Sequence, residues 1–594
     1  MEANSITRLF EIPERQQSKF NRKDALSKKL SDGSWEIFSS DDFVDYVNQI
    51  SSGLLQRGFQ QGDKVASISY NMPEWNFVDL GAMQCGLVHV PLYPTLGEKD
   101  IAYILKDSDA TAVFVQNETV AERVWAIKDQ LPRLQSIFTF DETSDERFVH
   151  WQQVLDKELT HRERVREIRN EVQQGDMATL IYTSGTTGAP KGVMLSHHNL
   201  MSNVKACTKV MPVDHRHHVL SFLPLSHVFE RMVTYLYMFQ GVGIYYAESI
   251  DTIADNLREV KPHFFTTVPR VLEKVYEKIY KRGLQLKGIQ RSLFFWALNL
   301  GANYEHTGKG LLYRLQLALA NKLIFSKWRE ALGNNVLGVV SGGAPLQQRL
   351  AKVFWAANIP VVEGYGLTET SPVIAVNRFD PNYCKFGTVG QPIDNVEVQI
   401  ADDGEILTRG PHVMMGYYNK PEKTSEAIDQ QGFYHTGDIG ELDKDNYLSI
   451  TDRKKEMFKT SGGKYIAPQI LENKFRESPF IEQVMVIGEN QKFPSALIVP
   501  NEEHLRNWAR LKGYASENDN LKSLVEKQEV KDRIHRVVDK VNREFSKYER
   551  VKRFALIPNE WTIDAGDLTH TQKLKRKVIQ DKYKTYWEPL YEDE

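Results

Sequence analysis

The sequence predicts an α/β protein with largely parallel sheets, and three observations predict it. Short β-rich runs alternate with segments of helical spacing, the pattern of repeated βαβ units. Apolar residues make up 41% of 594, with 25 Tyr, 28 Phe and 10 Trp, enough to bury a large core rather than leave the chain disordered. Three strings rich in Gly and hydroxyl residues each follow a strand-like run, and loops beyond strand C-termini are where open α/β sheets hold ligands.

Taken in order, Phe43, Val47, Ile50 and Leu54 mark an early helix with an apolar face. The run 63–70 (DKVASISY) reads as a strand, followed by a helix over 73–85, a strand over 87–92 (LVHVPL), a helix around 101–106 and a strand over 112–116. The apolar run 177–181 leads into YTSGTTGAPKG, 182–192, with a helix expected near 198–210. Two further loops follow strand-like runs: SGGAPL, 341–346, after 336–340, and EGYGLTE, 363–369, after 359–362. Near the C-terminus Val530, Ile534, Val537, Val538, Val541 and Phe545 recur at helical spacing and predict a core face.

The loop 182–192 offers glycines, four hydroxyl residues and Lys191 as donors to a polyphosphate. It is not a Walker A loop, because Lys191 is followed by Gly192 rather than Ser or Thr.

Charge and cysteine content narrow the class. Lys plus Arg total 75 and Asp plus Glu 78, a net charge of −3, so no global basic field points to nucleic acid. Cys85, Cys207 and Cys384 lie far apart without metal-type spacing, which predicts neither a disulfide scaffold nor a structural zinc site. His215, His217 and His218 lack a completing carboxylate or thiolate at ligand spacing. The N-terminal stretch is charged throughout and has no apolar signal core, so a cytoplasmic chain is expected. The most apolar run, 235–246, is about half the length that spans a bilayer. Locally, residues 273–330 hold 11 Lys or Arg against 4 Glu and no Asp, and include the aromatic run 293–298 (LFFWAL). Two readings stand for this segment: a helical hairpin packed on the large domain with a solvated basic face, or an element leaning on an anionic membrane surface.

The loop strings fall in one order with YHTGD (434–438), DRKKEMFKTSGGKYIAP (452–468) and LTHTQKLKR (568–576). Together with YTSGTTGAPKG and YGLTE (365–369), these resemble the adenylate-forming superfamily of acyl-CoA synthetases, peptide-synthetase adenylation domains and luciferases, over nearly the whole chain. PLSHVFER (224–231), SGGAPL and the lysine-rich 452–463 string look most similar to long-chain fatty acyl-CoA synthetases.

The resemblance implies a large N-terminal domain over 1–451 with a basic helical insertion at about 271–332, a hinge over 452–456, and a mobile α+β C-terminal domain over 457–594. It implies that a fatty acid attacks the α-phosphate of ATP, giving acyl-AMP and pyrophosphate, and that the thiol of coenzyme A then displaces AMP. Alternatives within that chemistry are a medium-chain, aryl or other acid, or a carrier-protein acceptor; a non-catalytic nucleotide-binding scaffold is a third class. By the same resemblance Thr183, Ser184, Gly185, Thr186, Thr187, Gly188 and Lys191 cradle the phosphates, and Thr186 and Glu369 help hold Mg²⁺. Thr368 meets the α-phosphate, and adenine lies between Gly343, Ala344, Pro345 and the strip Glu363, Gly364, Tyr365, Gly366. Asp438 and Arg453 take the ribose, Lys573 bridges carboxylate and α-phosphate, and Lys455 stands at the hinge. Family members often have Gly before this lysine, where this chain has Gln572. Domain rotation would bring Ser461, Gly462, Gly463 and Lys464 to the pantetheine tunnel. His227 matches a position near the acyl pocket, with a satisfied core histidine as the alternative.

Overall fold

The computed structural model describes residues 5–183, 189–249, 251–516, 519–569 and 572–592. The chain divides into two compact units. One comprises Met1–Gln399, Leu407–His435 and Leu442–Leu448; the other comprises Ile400–Ile406, Thr436–Glu441 and Ser449–Glu594.

The first unit is built on two sheets. One has the strand order Gly416–Tyr417, Lys191–Ser196, Met177–Thr183, Val88–Leu92, Lys64–Ile68, Ala110–Val115, Ser136–Thr139, Val149–His150. From Met177–Thr183 onward its strands are parallel, while the first two run antiparallel to their neighbours. The other sheet runs Gln391–Pro392, Val373–Val376, Val361–Gly366, Gly338–Ser341, Phe264–Thr267, His218–Ser221, Gly243–Tyr246, Leu26–Lys29, Trp35–Phe38. Its middle six strands are parallel. Val88–Leu92 and Ala110–Val115 are buried at every residue, which is why they read as continuous apolar runs rather than alternating ones.

The intervening helices are set by local signals. Ser39 accepts the Asp42 N–H while Asp42 accepts the Ser39 N–H, a reciprocal cap that starts Ser40–Gln56. That helix buries Phe43, Val47, Ile50 and Leu54, as the spacing predicts. Pro73 opens the next helix, Pro73–Gln84, where its missing N–H costs no intrahelical bond.

The helix Val228–Phe239 joins the two sheets through two adjacent charged residues. Glu230, fully buried, accepts from Ser221 Oγ at 2.6 Å and from Thr266, one on each of two neighbouring strands of the nine-stranded sheet. Burial pushes its carboxyl up to about 7. Arg231, also fully buried, donates to Thr179 Oγ1 at 2.6 Å on the other sheet and to Asp79 of Pro73–Gln84. Asp79 also accepts from Tyr235 and meets His89 Nδ1 at 2.8 Å, whose Nε2 lies 2.9 Å from Ser67 Oγ. Burial alone would raise the Asp79 carboxyl, but Arg231 and His89 hold it below its ordinary value.

The second unit carries a three-stranded sheet, Ile481–Ile487, Ser495–Pro500 and Arg553–Leu556, antiparallel then parallel. Helix Gln528–Asn542 buries Val530, Ile534, Val537, Val538 and Val541. Phe545 lies beyond the helix end and packs half-buried on the same core.

The basic segment folds as helices Pro269–Gln285, Gly288–Ala302, Leu311–Ala320 and Ser326–Ala331, with a π-helical turn Asn321–Phe325 between the last two. The LFFWAL run faces inward: Phe294, Ala297 and Leu298 are buried in a core shared with Phe325, Trp328 and Phe354. Gly283 permits this packing, because a Cβ there would sit 2.0 Å from the Phe294 ring.

Candidate active site

The phosphate-loop string spans a β-hairpin. Met177–Thr183 and Lys191–Ser196 pair antiparallel with Thr183 opposite Lys191, so a strand, not a helix, follows the loop. The expected helix near 198–210 is His197–Cys207, started by the Ser196–Asn199 reciprocal cap. The sequence reading missed the strand because its six residues sit between a loop signal and a cap signal, too short to show a period. Ser184, Gly185, Thr186, Thr187 and Gly188 lie outside the described residues.

Lys191 and Glu369 meet through a residue the motifs do not name. The Lys191 Nζ stands 3.9 Å above the centre of the Tyr417 ring. The Tyr417 hydroxyl donates to Glu369 Oε1 at 2.9 Å. Burial and the nearby Glu369 carboxylate both push the Tyr417 phenol up, so it stays a donor. Tyr417 is placed by several backbone links. It pairs opposite Val193, Asn199 Nδ2 donates to the carbonyls of Pro411 and Val413 at 2.8 Å each, and the Met414 N–H donates to the Glu369 carbonyl at 2.9 Å. The sequence signal for Tyr417 is the paired tyrosines Tyr417 and Tyr418, between the apolar run Val413, Met414, Met415 and the polar stretch that follows.

Glu369 is buried, on the turn Thr368–Thr370 that follows strand Val361–Gly366. A carboxylate has about four lone-pair sites, and Tyr417 occupies one. Glu369 can therefore still offer oxygen to a hard cation such as Mg²⁺.

The string Glu363–Gly366, expected in a loop, belongs to the strand itself and pairs with Val373–Val376. Glycine is required at 366: a Cβ there would lie 1.7 Å from the Pro372 carbonyl oxygen. Ser341 stands in register with Glu363 on the neighbouring parallel strand, so SGGAPL and EGYG emerge side by side. The Leu346 N–H donates to Glu363 Oε1 at 3.1 Å. Burial pushes that carboxyl up to about 8, against the pull of the N–H. Gly343, Ala344 and Pro345 are exposed beyond the strand end, with Gly343 at φ 80°, a conformation that glycine takes without steric cost.

His227 is the N-cap of Val228–Phe239, its Nδ1 accepting the Phe229 N–H at 3.2 Å. It is half-buried, and Phe229, two residues on, faces Gly342, where a Cβ would stand 3.1 Å from the ring. PLSHVFER is thereby tied to SGGAPL.

In the second unit Asp438, buried, lies 3.5 Å from Arg453 Nε, the two coming from strands Tyr434–Leu442 and Leu448–Arg453. After Arg453 the chain turns, with the Glu456 and Met457 N–H groups donating to the Arg453 carbonyl and Lys455 exposed at the turn. Asp452, just before it, is fully buried and accepts the N–H groups of Arg453 and Gln469; burial raises it to about 7. Ser461, Gly462, Gly463 and Lys464 form the exposed tip of the hairpin Phe458–Lys459 and Tyr465–Ile466.

Lys573 is exposed on a tight turn closed by the bridge between Leu568 and Leu574. Its N–H donates to Thr569 Oγ1 at 3.0 Å and its carbonyl accepts the Thr569 N–H at 2.8 Å. Gln572 sits at φ 59°, the left-handed region, which accounts for the glycine common at this position in the family. Behind the turn Arg576 donates to Glu472 Oε2 at 2.6 Å and Glu456 Oε2 at 2.9 Å. The segment bearing Lys573 is thus bolted to the residue that follows Lys455.

A large unit of two mostly parallel sheets is thus followed by a smaller unit that carries Asp438, Arg453 and Lys573. The chain belongs to the AMP-binding enzyme family: that family matches residues 13–418, and its C-terminal domain matches residues 456–594. Among curated relatives, a Mycobacterium bovis protein named long-chain-fatty-acid–CoA ligase FadD15 is 34% identical over 580 residues, covering 96% of this chain and 94% of the relative. The human protein named long-chain-fatty-acid–CoA ligase 1 is 30% identical over 622 residues, covering 99% and 87%. Among solved structures, the anthranilate CoA ligase AuaEII in complex with anthranoyl-AMP superposes with a TM-score of 0.72 at 19% identity, covering 98% and 99%.

Proposed function

We propose that the protein is a long-chain fatty acid–CoA ligase, which activates the acid with ATP to acyl-AMP and pyrophosphate and transfers the acyl group to coenzyme A with release of AMP. The observation that carries this reading is the convergence of Lys191 and Glu369 on the ring and hydroxyl of Tyr417, beside the phosphate-loop hairpin. Full-length relatives at 30–34% identity bear that activity in their names.

The first half-reaction brings a carboxylate onto a phosphate anion, so the protein must supply charge and orientation. Lys191 and the hairpin N–H groups near Thr183 would take the terminal phosphates, and Thr368 the α-phosphate. Glu369, with Thr186, would hold Mg²⁺, which when bound neutralises phosphate charge. Asp438 and Arg453 would take the ribose, and Glu363 to Gly366 with Gly343 to Pro345 the adenine. Lys573 would bridge the attacking carboxylate and the α-phosphate. For the second half-reaction, rotation about 452–456 at Lys455 would withdraw Lys573 and present Ser461 to Lys464 to coenzyme A. Among the described residues no helix is long and apolar enough to cross a membrane; the protein would work in the cytoplasm and touch the membrane peripherally, as developed below.

The test is AMP release from ATP and Mg²⁺ across carboxylic acids from acetate to oleate, with and without coenzyme A. Turnover needing both coenzyme A and a long-chain acid is expected. Activity confined to short or aromatic acids would overturn the substrate, and activity with no acid would overturn the ligase reading.

A further inference from the structure

The helix Leu311–Ala320 and its π-helical continuation present two apolar faces, and only one is used by the fold. Leu317 and Tyr313 pack inward on the core that holds Ala320, Phe325 and Trp328. On the other side Leu311, Leu312, Leu315, Leu319 and Leu323 are 74, 71, 61, 48 and 41% exposed. At 100° per residue these five leucines fall within one stripe about a third of the helix circumference wide.

The stripe cannot roll inward. The Tyr313 hydroxyl donates to the Leu300 carbonyl at 2.9 Å, and Asn321 Nδ2 donates to the Ala356 carbonyl at 2.8 Å. Arg329 braces the turn from behind, donating to Asn321 Oδ1 at 2.8 Å and the Ala357 carbonyl at 2.7 Å. The rotation of the helix is therefore fixed by hydrogen bonds on its buried side, and the leucines are held outward. A row of this kind in contact with water alone is uncommon and marks an interaction surface.

The charge around the stripe selects the partner. From His306 to Arg329 there is no Asp or Glu, while Lys309, Arg314, Lys322 and Lys327 lie in the same stretch. Arg314, Lys322 and Lys327 are exposed. A second copy of the chain would set this cationic field against itself in a two-fold contact. A protein partner would be expected to find aromatic anchors, which the exposed stripe lacks, leucine being under-represented among interface hot spots. A bilayer containing anionic lipid satisfies both features, taking the leucines into the acyl boundary and the lysine and arginine heads at the phosphates.

We propose that the leucine stripe Leu311 to Leu323, rimmed by Arg314, Lys322 and Lys327, is a docking surface for an anionic lipid bilayer. The inference rests on the reading of a long-chain acid as substrate, since such an acid partitions into bilayers and would be collected there. It differs from the sequence expectation in its residues: the aromatic run 293–298 serves the core, and the leucines of the next helix meet the lipid.

The experiment is flotation of the full-length protein with vesicles of about equal parts phosphatidylglycerol and phosphatidylcholine, and with phosphatidylcholine alone. The wild type should float with the anionic vesicles, and Leu315→Glu/Leu319→Glu should reduce the bound fraction ~10-fold or more. Lys322→Gln/Lys327→Gln should reduce it at least several-fold, and raised salt should mimic that loss. Each variant should keep wild-type AMP release with a long-chain acid supplied below its solubility limit and without vesicles, which shows that it folds and separates this proposal from the ligase reading. The proposal is overturned if the wild type does not float, if the glutamate variant floats as well as the wild type, or if the wild type is a dimer in solution that this variant splits while vesicles are ignored.

Discussion

At the scale of single residues, Tyr417 bears on the proposed phosphate site and Glu363 on stability. Tyr417 is a positioning residue, donating to Glu369 while its ring carries the Lys191 ammonium. Tyr417→Phe keeps the ring and removes the donor, so kcat/KM should fall by about tenfold, the cost of one hydrogen bond to a charged group. The apparent Mg²⁺ requirement should rise with it, which steady-state titration of Mg²⁺ would read and a purely structural role would leave unmoved. Glu363 bears on stability. Its folded carboxyl titrates at about 8 against an ordinary 4.5, so between those values the folded state holds the extra proton. Stability from this group is full below about pH 4.5 and is lost as pH rises through about 8. Glu363→Gln should flatten the fall of Tm between pH 5 and 8, to which Glu230 and Asp452, both raised to about 7, also contribute, while the buried His197 and His412, lowered to about 3 and about 4, oppose it. An unchanged slope in differential scanning fluorimetry would refute this.

At the scale of elements, the helix Val228–Phe239 is where the two sheets are locked to each other. Arg231→Met would leave Asp79 charged and buried between Tyr235 and His89, a situation that costs about 3–5 kcal/mol. The variant should unfold at markedly lower denaturant, whereas Arg216→Met, whose partner Asp214 lies at an exposed turn, should shift stability by less than about 1 kcal/mol. In the second unit one arginine serves two carboxylates, Arg576 donating to Glu456 and Glu472 together.

At the scale of the whole molecule, the proposed division of labour predicts a split between half-reactions. Lys573→Ala should abolish acyl-AMP formation while leaving thioester formation from supplied acyl-AMP largely intact. Single-turnover assays of each half-reaction check this, and equal loss of both would remove Lys573 from its assigned role.

The sequence by itself determined the α/β class, the family and most of the candidate site, because parallel strands buried on both faces, helix caps and glycine-rich loops each leave a local pattern within a few residues. Lys191, Glu363, Glu369, Asp438, Arg453 and Lys573 were legible for that reason. The tertiary structure alone decided the rest. The strand Lys191–Ser196 takes its identity from a partner across the hairpin and from Tyr417 beyond it. Tyr417 itself has no motif, since its role depends on two residues, one 48 and one 226 positions away. The same holds for Asp79, His89 and Arg231, three ordinary residues made into one network only by burial. The basic insertion holds a second apolar run, 311–320 (LLYRLQLALA), besides the aromatic run 293–298. Which one entered the core was settled by Gly283, which admits Phe294, and by the Tyr313 and Asn321 hydrogen bonds that hold the leucines outward. A local pattern records that a segment has an apolar face; only packing against distant residues decides which face is covered.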